Sequence, residues 1–126
     1  MILSDALFWK SHGATVQYHH PRISFWKVLK DNSKPKPDWE FRILPSEVGG
    51  FHVDVRCWWD GYSNYVVARV YWRGKQILKS QYETGSQSYG QQRAREMLRE
   101  KGLVFNYLSD LGCSESFVTL KKKSEL

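Results

Sequence analysis

The chain has 126 residues and carries 19 Lys and Arg against 13 Asp and Glu, a formal net charge of +6. This length is typical of one domain of about 100–150 residues, and 41% hydrophobic with 25% charged residues argues against a disordered chain. No run approaches the roughly 18 apolar residues that a membrane span requires and no basic leader opens the sequence, so we expect a soluble, cytoplasmic protein.

The first half of the chain predicts a short helix followed by three strands. Residues 2–12 begin with helix-capping side chains and end before a glycine, which is typical of a helix. The β-rich runs 14–20 and 23–29 flank a proline and predict a hairpin. Residues 30–38 have no apolar residue except prolines and predict an exposed loop. Residues 39–44 alternate apolar and polar side chains as a half-buried strand does.

The second half predicts a three-stranded meander followed by a helix. The β-patterned runs 51–59, 65–72 and 76–82 are separated by turn residues, which favours antiparallel neighbours. Capping residues then precede a helix that ends near residue 101, with apolar positions three and four apart. Residues 104–111 repeat this spacing and predict a short second helix.

These elements predict one α+β domain over residues 1–120. We expect a mostly antiparallel sheet, a short N-terminal helix and one or two C-terminal helices. Too little chain lies on either side of the loop at 30–38 for two separate cores. Residues 121–126 are expected to form a flexible basic tail.

Positive charge and aromatic side chains concentrate in the second half of the chain. Residues 64–126 hold eleven Lys and Arg against six acidic residues, whereas residues 1–63 hold eight against seven. Aromatic residues make up 15% of the chain, with six Trp and seven Tyr. Alternate residues of a strand face opposite sides of a sheet. One face of the meander is therefore expected to be apolar and to pack on the helix, and the other to carry these side chains: Arg56, Trp58, Arg69, Tyr71, Arg73, Lys79 and Gln81.

Three interpretations of this basic and aromatic face are open. Guanidinium and ammonium groups neutralise phosphates and exposed rings stack on unpaired bases, so the face is suited to nucleic acid. Trp, Tyr and Arg are also common at the centre of protein interfaces. Alternatively, strands from residues 1–50 cover the face, which makes its aromatic side chains part of the core.

Residues 51–103 resemble the DNA-binding module of phage integrase arm domains, which is also found in plant ethylene-response factors. The resemblance rests on the strand–turn–strand with Gly74-Lys75 and on the helix that follows Thr84. Those modules lay a three-stranded sheet in the major groove, so the resemblance implies a sheet that contacts DNA. The implied contact residues are Arg56, Arg69, Tyr71, Arg73 and Lys79.

The same strand and helix order is also similar to the C-terminal part of double-stranded-RNA-binding domains. That family has a helix before the strands and a Lys-Lys pair at the start of its last helix. In this chain residues 39–44 are strand-like, and the helix start carries Gln91-Gln92-Arg93 instead. The sequence departs from the RNA-binding family at both places, so DNA is favoured over RNA.

The sequence predicts no catalysis, no cofactor and no metal site. The imidazoles His12, His19, His20 and His52 lie outside metal-ligand motifs. His52 and Asp54 share one strand face, but alternating polar residues on an exposed strand produce the same pattern. Neither cysteine belongs to a CxxC pair, so a zinc site has no support.

We therefore predict a nucleic-acid-binding protein, with DNA favoured over RNA, that uses basic and aromatic side chains of the meander. The alternative is a small accessory or inhibitory protein of the phage or plasmid type that binds a protein partner through exposed aromatic side chains. The predicted nucleic-acid-binding residues are Arg56, Trp58, Arg69, Tyr71, Arg73, Lys75, Lys79, Arg93 and Arg95.

Overall fold

A computed structural model describes residues 1–126. It has α+β architecture, with two α-helices, eight strands and three single-turn 3₁₀ helices. The helices are α1 (Leu3–Ser11) and α2 (Gln87–Glu100), and the 3₁₀ turns are Pro45–Glu47, Leu108–Leu111 and Lys123–Glu125. The strands are β1 (Val16–His19), β2 (Lys27–Val28), β3 (Glu40–Ile43), β4 (Phe51–Trp59), β5 (Asn64–Trp72), β6 (Lys75–Lys79), β7 (Glu83–Thr84) and β8 (Ser114–Leu120). Neither α-helix has the length and hydrophobicity that crossing a membrane requires.

The chain forms two compact units, and the first comprises residues 1–48 and 101–103. Its sheet has the order β2-β1-β3, with both pairings antiparallel. This confirms the predicted hairpin and the strand after the loop. Helix α1 packs on β1 and β3, where Trp9 is fully buried and donates its indole N–H to the Lys101 carbonyl at 2.8 Å.

The second unit comprises residues 49–100 and 104–126 and contains the predicted meander. Its strands have the order β6-β5-β4-β8, and β7 also pairs with β5. Strands β4 and β5 pair antiparallel along their full length. The turn from β5 to β6 has φ of +54° at Arg73 and +78° at Gly74. Positive φ at both central residues is typical of the tight hairpin turn that matches strand twist.

The edge strand β8 was not predicted from the sequence. It pairs in parallel with β4, from His52 opposite Ser114 to Trp58 opposite Leu120, so the second sheet is mixed. Most of its side chains are exposed.

The predicted second helix at residues 104–111 is wrong, since only the 3₁₀ turn Leu108–Leu111 forms there. Val104 and Tyr107 are 98% and 70% exposed, so the apolar spacing does not form a buried stripe. Leu108 and Leu111 are buried and three residues apart, as suits a 3₁₀ turn.

Helix α2 packs on the apolar face of β4 and β5, as the sequence predicted. Its buried residues are Gly90, Ala94, Met97 and Leu98. The contact is closest at Gly90, where a Cβ would lie 2.4 Å from a methyl carbon of Val55 and 3.2 Å from one of Val66. Only glycine fits between the helix and these two valines.

Substituting Gly90 with alanine is expected to destabilise the second unit. Helix propensity alone would favour alanine by about 1 kcal/mol, but overpacking a core costs about 1–3 kcal/mol. We therefore expect a lower free energy of unfolding in chemical denaturation. Gln92→Ala, at an exposed position of the same helix, is the matched control and should change stability by less than about 0.5 kcal/mol. A Gly90→Ala variant as stable as the parent would contradict this packing.

Candidate functional site

The second sheet presents one face to α2 and a second, polar face on its other side. The pairing places His52 opposite Tyr71, Asp54 opposite Arg69, and Trp58 opposite Tyr65. Strand β8 adds Ser114 and Ser116 to the same face, and β6 adds Lys79 opposite Arg69. We call this the polar face; its members are His52, Asp54, Arg56, Trp58, Tyr65, Val67, Arg69, Tyr71, Lys79, Ser114, Ser116 and Val118.

A hydrogen-bonded network links β4 and β8 on the polar face. The hydroxyl of Ser116 donates to Asp54 Oδ1 at 2.7 Å, and Arg56 Nε donates to Asp54 Oδ2 at 2.8 Å. His52 contacts two hydroxyls, Ser114 Oγ through Nδ1 at 2.7 Å and Ser116 Oγ through Nε2 at 2.9 Å. Because Ser116 gives its proton to Asp54, its oxygen accepts the proton of His52 Nε2. The network therefore orients Ser116 away from the role of a nucleophile that His52 could deprotonate.

The network keeps Asp54 ionised in a mostly buried position. Burial by itself would raise the pKa of this carboxyl, but hydrogen bonds from Arg56 and Ser116, and the charges of Arg56 and His52, lower the pKa below its ordinary value. The same ion pair raises the pKa of Arg56. Both carboxylate oxygens of Asp54 are occupied, so its charge is neutralised within its own strand.

An open groove of about 440 Å³ lies next to this network. All of its lining residues belong to the second unit, and the polar face supplies six of them. The lining residues are Gly50, His52, Asp54, Arg56, Tyr71, Gly74, Ser116 and Val118.

Two cations of the polar face have no carboxylate partner. Arg69 lies opposite Asp54 in the pairing, yet Asp54 bonds to Arg56 and Ser116 instead. The Nε of Arg69 is buried and makes no hydrogen bond. On the neighbouring strand β6, Lys79 lies opposite Arg69 and is exposed. Like charges directly opposite on a sheet destabilise it, so an anion bound between Arg69 and Lys79 would relieve a repulsion that the fold contains.

Three aromatic rings lie on the polar face, near the hairpin that joins β4 and β5. Trp58 and Tyr65 stack with their ring centroids 6.0 Å apart, and Tyr65 stacks on Tyr82 at 4.5 Å. We call these three side chains the aromatic row. Lys123 Nζ lies 5.0 Å from the centre of the Tyr82 ring, which is within the range of a cation–π interaction.

A second groove of about 450 Å³ lies between Tyr82 of the aromatic row and the unpaired cation Lys79. Tyr82 and Lys123 lie on its wall, together with Lys79. The remaining lining residues are Val67, Ser80, Gln81 and Leu126. Arg56 also donates to the Glu125 carbonyl at 3.1 Å, so the terminal 3₁₀ turn lies between the two grooves.

The structure brings together five of the predicted binding residues on the polar face: Arg56, Trp58, Arg69, Tyr71 and Lys79. Arg73 and Lys75 lie at the turn beyond Tyr71, and the Arg73 guanidinium stacks on Trp72 at 4.2 Å.

Helix α2 holds the remaining predicted residues, Arg93 and Arg95, on the opposite side of the sheet. Arg93 pairs there with Glu96 and Glu100. The structure does not bring these two arginines together with the polar face.

Among the residues of the site that were not predicted from the sequence are Ser114, Ser116, Tyr82 and Lys123. The serines belong to the unpredicted strand β8. Tyr82 lies beyond the end of β6 at Lys79, so strand alternation does not determine where its ring lies.

No group of three or more His, Cys, Asp or Glu side chains is arranged to hold a metal ion. Both cysteines are free thiols. Burial, together with the charge of Glu115, raises the pKa of Cys113 to about 11, which keeps it protonated near neutral pH. Comparison with protein-family models, curated proteins and solved structures finds no match to this chain.

Proposed function

We propose that the polar face of the second sheet binds nucleic acid, with DNA as the first candidate. The observation that carries this proposal is the cross-strand pair Arg69 and Lys79, which lacks a carboxylate partner although Asp54 is the neighbour of Arg69 in the sheet. A pair of unpaired cations next to aromatic rings is best suited to bind phosphates. Neutralising the phosphates of a nucleic acid releases condensed counterions, and this release favours binding.

The distribution of charge on the polar face supports a ligand with several negative charges. Asp54 is the one acidic member of the face, and Arg56 neutralises it. Beside the aromatic row, Lys123 adds a cation and Asp60 adds a carboxylate that bonds to Tyr65. An extended polyanion can contact the cross-strand pair of Arg69 and Lys79 and also Lys123, which lines the same groove as Lys79.

The salt dependence of binding tests the proposal. We expect the protein to bind labelled random-sequence oligonucleotides at low salt, with log affinity falling linearly as log salt rises. Arg69→Ala and Lys79→Ala should each weaken binding and reduce this slope by about 0.7–0.9, the contribution of one phosphate contact. Fluorescence anisotropy at several salt concentrations measures both quantities.

Arg95→Ala is the matched control, because it removes the same charge from the helix side of the sheet. Its slope should equal that of the parent chain. Equal losses for Arg95→Ala and Arg69→Ala would move the site away from the polar face, and the absence of binding at low salt would contradict the proposal.

Exposed aromatic side chains favour a protein partner as the second candidate function. Trp59 and Tyr62, at the hairpin between β4 and β5, are 54% and 91% exposed. Such side chains are enriched at interface centres. An interface of this kind would depend on Trp59 and Tyr62 and would change little with salt, which separates it from nucleic-acid binding. An accessory or inhibitory role belongs to this second candidate.

A further inference from the structure

We infer that the nucleic acid bound on the polar face is a single strand, with bases against the aromatic row and phosphates on Arg69, Lys79 and Lys123. This inference rests on the proposed function and adds the class of ligand. It departs from the duplex that the resemblance to three-stranded DNA-binding modules implies. Two features of the second sheet lead to it, its width and the groove beside Tyr82.

The second sheet is too wide to enter a major groove edge to edge. Strand β8 adds a fourth strand beyond β4, in the order β6-β5-β4-β8. Strands lie about 4.8 Å apart, so the axes of β6 and β8 are about 14 Å apart before side chains are added. The major groove is about 12 Å wide and admits a helix or a two-stranded ribbon. Arg69 lies on the inner strand β5 and not on an edge of the sheet.

A flexible single strand can lie flat on the same face. Along β5, Tyr65 and Arg69 are four residues apart, which corresponds to about 13 Å. The second groove lies beside this interval: its lining includes Val67, between the two on β5, Tyr82, which stacks on Tyr65, and Lys79, which pairs with Arg69. Lys123, Gln81 and Leu126 also line the groove. The groove therefore combines the ring, the cations and the apolar wall that a nucleotide with an unpaired base needs.

Tyr82 is the ring of the aromatic row best placed to meet a base. It is 39% exposed, with Tyr65 stacked on one face of the ring and Lys123 Nζ over the other. A base that stacks on Tyr82 therefore takes the place of the Lys123 side chain, whose ammonium then binds a phosphate. Trp58 and Tyr65 are half-buried. Stacking depends on a base that has left its partner, so removal of this ring should affect single strands and not duplexes.

Binding of matched oligonucleotides tests the inference. We would measure the anisotropy of labelled 12-nucleotide single strands of DNA and RNA, and of the corresponding DNA and RNA duplexes, at low and physiological salt. We expect the single strands to bind at least tenfold more tightly than the duplexes. Tyr82→Ala should weaken single-strand binding roughly five- to hundredfold, the range that one stacked base contributes, and leave duplex binding unchanged.

Two further variants of Tyr82 and its neighbourhood act as controls. Tyr82→Phe keeps the ring and should bind as the parent does. Tyr62→Ala removes a tyrosine that is 91% exposed and outside the groove, and single-strand binding should not change. Thermal unfolding of each variant reports whether the fold is retained.

The outcomes separate this inference from the proposed function. If neither single strands nor duplexes bind at low salt, the proposed function fails. If duplexes bind as tightly as single strands, or if folded Tyr82→Ala binds single strands normally, the inference fails while nucleic-acid binding stands. If single strands bind more tightly than duplexes, the ratio of the affinities for DNA and RNA single strands identifies which nucleic acid the site favours.

Discussion

Replacing Trp72 with alanine is expected to lower the free energy of unfolding of the second unit by about 3–5 kcal/mol, the usual cost of removing a buried tryptophan. Trp72 is 2% exposed at the end of β5, and its ring stacks on Phe51 with 5.9 Å between ring centroids. Its indole N–H donates to the Gly49 carbonyl at 2.9 Å. The substitution therefore leaves a cavity and a carbonyl without its donor beside the turn that leads to β6.

Two variants separate these contributions in urea denaturation. Trp72→Phe keeps most of the ring but not the N–H, so its loss should be smaller, about 1–3 kcal/mol. Trp59→Ala truncates another tryptophan of the same sheet that is 54% exposed, and it should cost less than about 1 kcal/mol. Similar losses at Trp59 and Trp72 would show that burial does not distinguish these positions.

Alternation in the sequence predicted the polar face because the two-residue period of a strand depends on local geometry alone. Residues 51–59 and 65–72 were predicted as strands with buried valines on one side, and β4 and β5 reproduce this arrangement. The hairpin between them fixes their register, so Arg56 and Trp58 were correctly assigned to the face that carries Arg69 and Tyr71.

The parallel strand β8 could not be predicted in this way. Its residues Ser114–Leu120 are mostly exposed and show no strong alternation of apolar and polar side chains. Its partner β4 lies about 60 residues earlier in the chain, and no hairpin turn sets the register. The two serines that bond to His52 therefore became visible only in the structure.

The sequence also could not predict which ion pairs form on the polar face. Two arginines are close to Asp54 in any model of the meander, Arg56 on the same strand and Arg69 on the next one. In the structure Asp54 forms its ion pair with Arg56, and Arg69 has no carboxylate partner. This choice depends on side-chain geometry, and it is the basis of the proposed site.

Substituting Asp54 with asparagine is expected to have opposite effects on stability and on binding. The variant loses the charge that Arg56 and Ser116 bind, and stability at pH 7 should fall by about 1–3 kcal/mol. It also removes the one carboxylate of the polar face and frees the Arg56 guanidinium. Nucleic-acid affinity at low salt should therefore rise, with a salt slope steeper by up to about 0.7–0.9.

Glu96→Gln makes the same change in net charge on α2 and serves as the control for binding. It should leave both the affinity and the salt slope close to those of the parent. A gain in affinity as large as that of Asp54→Asn would mean that net charge, and not the local pairing of Arg56, controls binding. A loss of affinity in Asp54→Asn with the fold retained would show that the network itself supports the bound ligand.

The pH dependence of stability isolates the role of the ionised Asp54. Because its folded pKa is lowered from the ordinary value of 3.8, the stability it contributes is complete well above that value and is lost as the pH falls through the folded pKa. The parent should therefore lose its advantage over Asp54→Asn as the pH falls below about 4. Urea denaturation of both proteins between pH 7 and pH 2.5 measures this difference. A difference that stays constant over this range would mean that the packing of the side chain, and not its charge, accounts for the effect.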